Sequence, residues 1–192
     1  MFAKFASLMI VALAGLSTTA LAAEDKKEPT KDQQRAAIRK ERDQILTSLY
    51  KVHPAAKEKI AKAPGYATFN AGGVTVLFIG GTGGQGMAVN NATKKETFMK
   101  AAQISVGLGL GFKDQSLVML FKSKEALDKF VTKGWEFGGQ GSAAAKTART
   151  GGAAAAGSVD FGDFEVYQLT KNGLMVEATI TGTKYSLDSE IN

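Results

Sequence analysis

The motif that most directly suggests chemistry is Gly81-Thr82-Gly83-Gly84-Gln85-Gly86, which matches the dinucleotide fingerprint G-x-G-x-x-G. That fingerprint holds a pyrophosphate because its loop opens the N-terminus of a helix. Here Met87-Ala88-Val89 predicts a strand, and no acidic residue ends a second strand about 20 positions further on. The sequence therefore favours a tight glycine hairpin over cofactor binding. Gly139-Gln140-Gly141 matches the motif more weakly, and we do not interpret it as a cofactor site either.

Side chains that could support catalysis are sparse. His53 is the single histidine, which excludes sites that need two, and we interpret it as a cap or surface residue. Asp163 and Glu165 could share one face of a strand, as in a metal site or the paired acids of a glycosidase, although a solvated strand face is the simpler interpretation. No Gly-x-Ser-x-Gly elbow is present. We therefore predict a protein that is not an enzyme and has no metal or cofactor site.

The basic side chains are better organised. One stretch combines bases with apolar residues at helical spacing: Arg35, Ile38, Arg39, Lys40, Arg42, Ile45 and Leu49. A basic amphipathic helix can lie on an anionic bilayer, with its apolar face inserted and its bases on the head groups. The alternative is an ordinary helix packed on its own sheet with a solvated basic face, since Glu41 and Asp43 dilute the charge.

The helices that would hold these residues have clear boundaries. Apolar spacing predicts a first helix from about Asp32 to Val52. Pro54 suits the start of a second helix, through about Lys62, which Pro64-Gly65 ends. Ser123 is predicted to cap a third helix from Lys124 to Lys133, with Gly134 at its end.

The rest of the chain predicts short strands. They are Val74 to Ile79, Met87 to Val89, Ile104 to Phe112, Ser116 to Phe121, Phe164 to Leu169, Leu174 to Ile180 and Tyr185 to Leu187. Glycines give the strand from Ile104 a nearly bare face, and Lys171-Asn172-Gly173 indicates a hairpin. Residues 142–157 fit either a strand or a helix. We predict an α+β fold, with N-terminal helices packed on a curved antiparallel β-sheet or partial barrel and one inserted helix.

The N-terminus predicts export. Lys4, an apolar run from Phe5 to Leu16, and Ala20-Leu21-Ala22 have the order of a cleavable secretory signal, and the run is too short to span a membrane. The predicted organisation is a signal peptide at 1–22, a flexible leader at 23–34 and a single domain at 35–192. The expected location is the periplasm.

The composition limits the chemistry of the chain and the classes of partner that it could bind. The absence of cysteine excludes disulfides, thiol chemistry and lipoprotein acylation. Residues 23–192 contain 23 bases and 18 acids, a mildly basic balance that suits an anionic membrane surface or nucleic acid. Export makes nucleic acid the less suitable partner.

Several segments, in their order and spacing, resemble the SYLF domain family from about Tyr50 to the C-terminus. They are Ala61 to Phe69, Gly80 to Gly86, Ile104 to Gly111, Leu117 to Phe121 with Lys124 to Phe130, Gly134-Trp135-Glu136-Phe137-Gly138, and Val166-Tyr167-Gln168-Leu169 with Asn172-Gly173-Leu174-Met175. The stretch after Gly141 departs from the family by being richer in alanine.

The resemblance implies lipid binding. Eukaryotic members, including a yeast actin-patch protein, bind phosphoinositides and some bind actin filaments, whereas bacterial members are mostly exported and thought to bind phospholipids. The segment from Arg35 to Val52 matches the family's basic, amphipathic lipid contact. We therefore expect an exported lipid-binding domain on anionic phospholipid. The alternatives are a structural or scaffolding protein that binds a partner or itself through Ile104 to Phe112, and an enzyme that acts on envelope components through Asp163 and Glu165.

Overall fold

The computed structural model describes residues 28–70, 82–103, 115–136, 158–170, 173–175 and 183–192. These ranges contain three helices: α1 (Lys31–Val52), α2 (Ala55–Lys62) and α3 (Lys124–Lys133). They also contain nine strands: β1 (Gly65–Asn70), β2 (Thr82–Asn90), β3 (Glu96–Gln103), β4 (Gln115–Phe121), β5 (Trp135–Glu136), β6 (Val159–Asp160), β7 (Phe164–Thr170), β8 (Gly173–Met175) and β9 (Thr183–Leu187).

The described strands form one antiparallel sheet. Its order is β5-β9-β3-β2-β1-β4-β7-β6, and β8 also pairs with β7. The sheet is curled into a half-barrel, and α3 is inserted between β4 and β5. The predicted α+β fold, with N-terminal helices on a curved antiparallel sheet, is therefore confirmed.

Helices cover both faces of this sheet. Because successive strand residues point to opposite faces, Met119 and Phe121 of β4 pack on the α3 side, whereas Val118 and Leu120 pack on the α1 side. Each side forms its own hydrophobic core, and β4 reads as a continuous apolar run because both of its faces are buried. Surface that is free for function must therefore lie on the outer sides of the helices or at the ends of the sheet.

The first helix begins earlier than the predicted leader allowed. Thr30 caps it: the Thr30 Oγ1 atom accepts from the Gln33 backbone N–H (3.3 Å), and the Gln33 side chain accepts from the Thr30 N–H (2.8 Å). This capping box satisfies two N–H groups that would otherwise lack partners. The prediction of a flexible leader through residue 34 was wrong for residues 31–34, which belong to α1.

The other helix limits are confirmed. Ser123 Oγ accepts from the Ala126 N–H (3.1 Å) at the start of α3, and Gly134 ends α3 with φ +72°. The predicted hairpin is also confirmed, because Thr170 pairs with Gly173. Gly173 itself is the first residue of β8, so the connection has two residues rather than three.

The prediction of a tight hairpin at Gly81 to Gly86 was wrong for residues 82–86. They lie inside β2, which pairs with β1 on one side and β3 on the other. A Cβ atom at Gly86 would lie 2.1 Å from the Thr68 carbonyl oxygen and 2.4 Å from a ring carbon of Phe69. Glycine is needed here because backbone and ring approach closely, not because the chain turns.

Some predictions fall outside the described residues. These are the signal peptide at 1–22, the strands at Val74 to Ile79 and Ile104 to Phe112, and residues 142–157. Within the ranges that are described, none of the helices has both the length and the apolar composition needed to cross a bilayer.

Candidate functional site

The three apolar residues predicted to contact lipid lie in the protein core. Ile38, Ile45 and Leu49 are 2%, 6% and 0% exposed, and they pack against the sheet. Full burial of such side chains contributes about 1.5–3 kcal/mol each, or about 5–9 kcal/mol together. Because that is comparable to the whole stability of a typical domain, about 5–15 kcal/mol, lipid contact through these residues would require a costly detachment of α1.

Two of the predicted bases share one carboxylate on the sheet. Arg39 Nε lies 2.7 Å from Glu96 Oε2, and Arg42 Nη1 lies 2.9 Å from Glu96 Oε1. Arg39 also lies over the Phe98 ring, with its guanidinium carbon 5.4 Å from the ring centre. Arg42 Nε bonds Asp43 at 2.9 Å. These contacts join α1 to β3 at the sheet surface.

Arg35 joins α1 to the C-terminal segment, which we define as residues 188–192. Arg35 Nε donates to the Ile191 carbonyl oxygen at 2.7 Å, and Arg35 Nη1 pairs with Asp32 at 3.0 Å. Ile191 is buried in the same core as α1. The position of the first helix is therefore linked to the C-terminal segment.

That segment is itself fixed to β3 by charge. Lys100 Nζ lies 3.2 Å from Asp188 Oδ1 and 3.2 Å from Glu190 Oε1. Burial acts to lower the pKa of Lys100, but the hydrogen bonds and charges of the two carboxylates outweigh it and raise the pKa. Lys100 stays charged, and Asp188 is buried with its charge paired.

Lys40, the fourth predicted base, points away from all of these contacts. It lines an open groove on the outer side of α1, together with Arg39, Gln44, Thr47 and Lys51. Lys40 and Lys51 are 11 residues apart, about 16 Å or three turns along the helix, so they lie on one side. With Lys31 and Lys57, they are exposed lysines whose side chains have no ion pair or hydrogen bond within the described part of the chain.

The net positive charge of the chain is concentrated in α1 and α2, which we call the α1–α2 layer. Residues 31–62 contain nine bases and four acids, a net charge of +5. Residues 23–192 as a whole, with 23 bases and 18 acids, have the same net charge. The remainder of residues 23–192 is therefore balanced, and the α1–α2 layer presents the excess positive charge on one side of the sheet.

The acids considered for catalysis are not organised for it. Glu165 Oε2 bonds Lys59 Nζ (3.2 Å), Tyr167 Oη (3.3 Å) and Ser158 Oγ (3.4 Å), whereas Asp163 lies outside the strand. Burial raises the pKa of Tyr167, which disfavours its use as a base. No cluster of three metal-ligating side chains occurs among the residues that the structure describes.

The lone histidine has a structural role. His53 caps the C-terminus of α1, where its backbone N–H donates to the Leu49 carbonyl oxygen at 2.7 Å. Its ring lies 5.6 Å from the Tyr167 ring, between centres. The interpretation of His53 as a cap is confirmed.

Lys51 and Glu96 are the residues that sequence reasoning missed. Helical geometry could have separated the bases: at about 100° per residue, Arg42 lies about 40° from Ile38 around the helix, whereas Lys40 lies about 160° away. Lys51 lies about 140° from Ile38, on the same outer side as Lys40. Glu96 could not be found in this way, because its pairing depends on which strand passes beneath α1.

Two comparisons with known proteins point to the same family. A family model described as Ysc84, Las17-binding protein actin regulator, matches residues 102–192. The chain is also similar to a protein named beta cell expansion factor A from Aeromonas veronii, with 34% identity over 167 residues. That alignment covers 84% of this chain, and so includes residues upstream of 102, but only 60% of the relative. The chain therefore spans about three fifths of that relative's length. These matches confirm the resemblance to the Ysc84, or SYLF, family that the motifs of the chain indicated.

Proposed function

We propose that the protein is a non-enzymatic lipid-binding domain of the periplasm that docks reversibly on anionic phospholipid membranes. The observation that carries this proposal is the excess charge of the α1–α2 layer, together with the exposed lysines Lys40 and Lys51 on its outer side. The proposed location rests on the sequence of residues 1–22. The family description names Las17 and actin, which the proposal leaves out because an exported bacterial protein meets neither routinely.

Docking through an intact surface is favoured over insertion of α1. Each lysine or arginine near an anionic membrane contributes about 1 kcal/mol, so Lys40 and Lys51 on the outer side of α1 supply about 2 kcal/mol. Detaching α1 would cost about 5–9 kcal/mol in lost apolar burial. The helix therefore stays on the sheet, and Ile38, Ile45 and Leu49 support the lysines from beneath instead of entering the lipid.

Vesicle co-sedimentation at two salt concentrations tests this proposal. The purified protein is expected to pellet with vesicles that contain phosphatidylglycerol and to stay in solution with phosphatidylcholine alone. Raising the salt from about 0.1 M to 1 M shortens the Debye length from about 10 Å to about 3 Å, so binding should be lost. Equal binding to both vesicles would place the contact on an apolar surface. No binding to either would instead favour a scaffolding role.

A further inference from the structure

Two arginines converge on a single point beside the groove. The Nε atom of Arg39 and the Nη1 atom of Arg42 reach the two oxygens of the Glu96 carboxylate, at 2.7 and 2.9 Å. A planar guanidinium matches phosphate as well as carboxylate, and donors that share one acceptor group form a site for an anion. In this structure the chain's own carboxylate fills that site.

The two guanidiniums are also held by contacts that do not involve Glu96. Arg39 lies over the Phe98 ring, and the Arg42 Nε atom bonds Asp43 while its Nη1 atom points toward Glu96. If Glu96 turned away, both donors would therefore remain close to their present positions. The subsite is preorganised, because its geometry does not depend on the group that now occupies it.

A ligand can reach this subsite from the proposed docking surface. The Arg39 side chain is 44% exposed and lines the same groove as Lys40. Glu96 is the first residue of β3, directly after the turn that joins β2 to β3, and its side chain is 24% exposed.

We propose that Arg39 and Arg42 form a subsite for the phosphate of an anionic phospholipid head group, and that Glu96 occupies this subsite until the protein meets a membrane. The inference rests on the proposed function. It adds that the Glu96 carboxylate competes with the lipid phosphate for the two arginines. Exchange of carboxylate for phosphate keeps both guanidiniums paired. The phosphate therefore displaces Glu96 if the two arginines bind phosphate more tightly than they bind the Glu96 carboxylate. Because only this difference drives the exchange, binding stays reversible.

Substitution of Glu96 tests the inference. Glu96→Gln removes the competitor, and we expect it to bind phosphatidylglycerol vesicles about fivefold more tightly than the wild type, the effect of one base made available. Glu190→Gln is the matched control, because it makes the same change in net charge at a carboxylate that pairs with Lys100 instead. Its affinity should stay within about twofold of the wild type. In an Arg39→Gln/Arg42→Gln background, Glu96→Gln should give no gain.

The possible outcomes separate the inference from the proposed function. Wild-type binding to anionic vesicles with equal affinities for Glu96→Gln and Glu190→Gln would overturn the inference and leave the proposed function standing. Failure of both the wild type and Glu96→Gln to bind would overturn both. A gain for Glu96→Gln in the binding of inorganic phosphate, with no gain in the binding of vesicles, would show that the subsite takes free phosphate, and would overturn the lipid assignment. If Glu96→Gln does not fold, Glu96→Ala removes the same carboxylate, and the same gain in affinity is expected.

Discussion

The side-chain amide of Asn192 bonds both backbone groups of Phe98. Asn192 Oδ1 accepts from the Phe98 N–H at 2.9 Å, and Asn192 Nδ2 donates to the Phe98 carbonyl oxygen at 2.8 Å. The β3–β9 ladder starts one residue later, where Met99 pairs with Leu187. The amide thus takes the place of one further backbone pair at the end of the β3–β9 ladder. It fixes the backbone of the residue whose ring lies beneath Arg39.

Removal of this amide should weaken the docking of the C-terminal segment. We expect Asn192→Ala to lower the free energy of unfolding by about 1–2 kcal/mol, since three hydrogen bonds are lost at a partly buried site, two to Phe98 and one to the Asp188 carbonyl oxygen. Urea denaturation measures the change. Ser189→Ala, at an exposed position in the same segment, is the control and should be neutral. An unchanged midpoint for Asn192→Ala would mean that this segment does not contribute to the fold.

The burial of Leu49 predicts a structural role for α1. Leu49→Ala should destabilise the protein by about 2–5 kcal/mol, because it leaves a cavity between the helix and the sheet. Val52, three residues later and 48% exposed, provides a control on the same helix. Val52→Ala should change stability by less than about 0.5 kcal/mol. Similar small effects for both substitutions, in urea denaturation, would show that α1 is not packed as described.

Gly86 tests the close approach of β1 to β2. Gly86→Ala should destabilise the protein by about 1–3 kcal/mol, since its Cβ would overlap the Thr68 carbonyl oxygen and the Phe69 ring. Gln85→Ala, on the other face of β2, should have a small effect. Thermal unfolding of both variants checks the prediction. Tolerance of Ala at position 86 would show that Thr68 and Phe69 do not approach this residue as closely as described.

Glu41 should reduce stability at neutral pH. Burial raises its pKa above the ordinary 4.5, against a smaller opposite effect of its hydrogen bond to Asn70. Its folded pKa lies above its unfolded pKa, so stability is lost as the pH rises through this range. Glu41→Gln should therefore stabilise the protein at pH 7, by less than about 1 kcal/mol for a partly exposed group.

The pH dependence of this effect is its check. The advantage of Glu41→Gln should disappear below the unfolded pKa, where the wild-type carboxyl is protonated in both states. Glu58→Gln, at an exposed residue paired with Lys62, should give no stabilisation at either pH. A pH-independent gain for Glu41→Gln would point to packing or helix propensity as its cause.

The helices were largely predictable, because their signals are local. Apolar spacing gave α1 nearly to the residue, and Ser123 with Gly134 gave both ends of α3. The start of α1 lies only one residue before the predicted Asp32, and the capping-box spacing of Thr30 and Gln33 marks it. The glycines of β2 led to the wrong prediction of a hairpin, because glycine is favoured both in turns and where another part of the chain approaches closely. Only the position of Phe69 in the folded protein distinguishes the two cases.

The site was less predictable, because it depends on which side of α1 meets the sheet. The bases were found as a group, but Arg35 and Arg42 border the buried stripe and bind the sheet side, whereas Lys40 faces away. The ionic partners lie far along the chain, with Glu96 more than 50 residues from both of its arginines. Such pairings follow from the sheet order, which no local pattern determines.

The measurement that tests the central claim most directly compares two double variants in binding to phosphatidylglycerol vesicles. Lys40→Gln/Lys51→Gln removes two charges from the outer side of α1, and Lys129→Gln/Lys133→Gln removes two from α3, on the opposite face of the sheet. We predict that the first pair weakens binding by about 2 kcal/mol, or about 30-fold, while the second has little effect. Equal losses for the two pairs would show that net charge alone drives binding. A larger loss for the α3 pair would place the membrane on the other face of the protein.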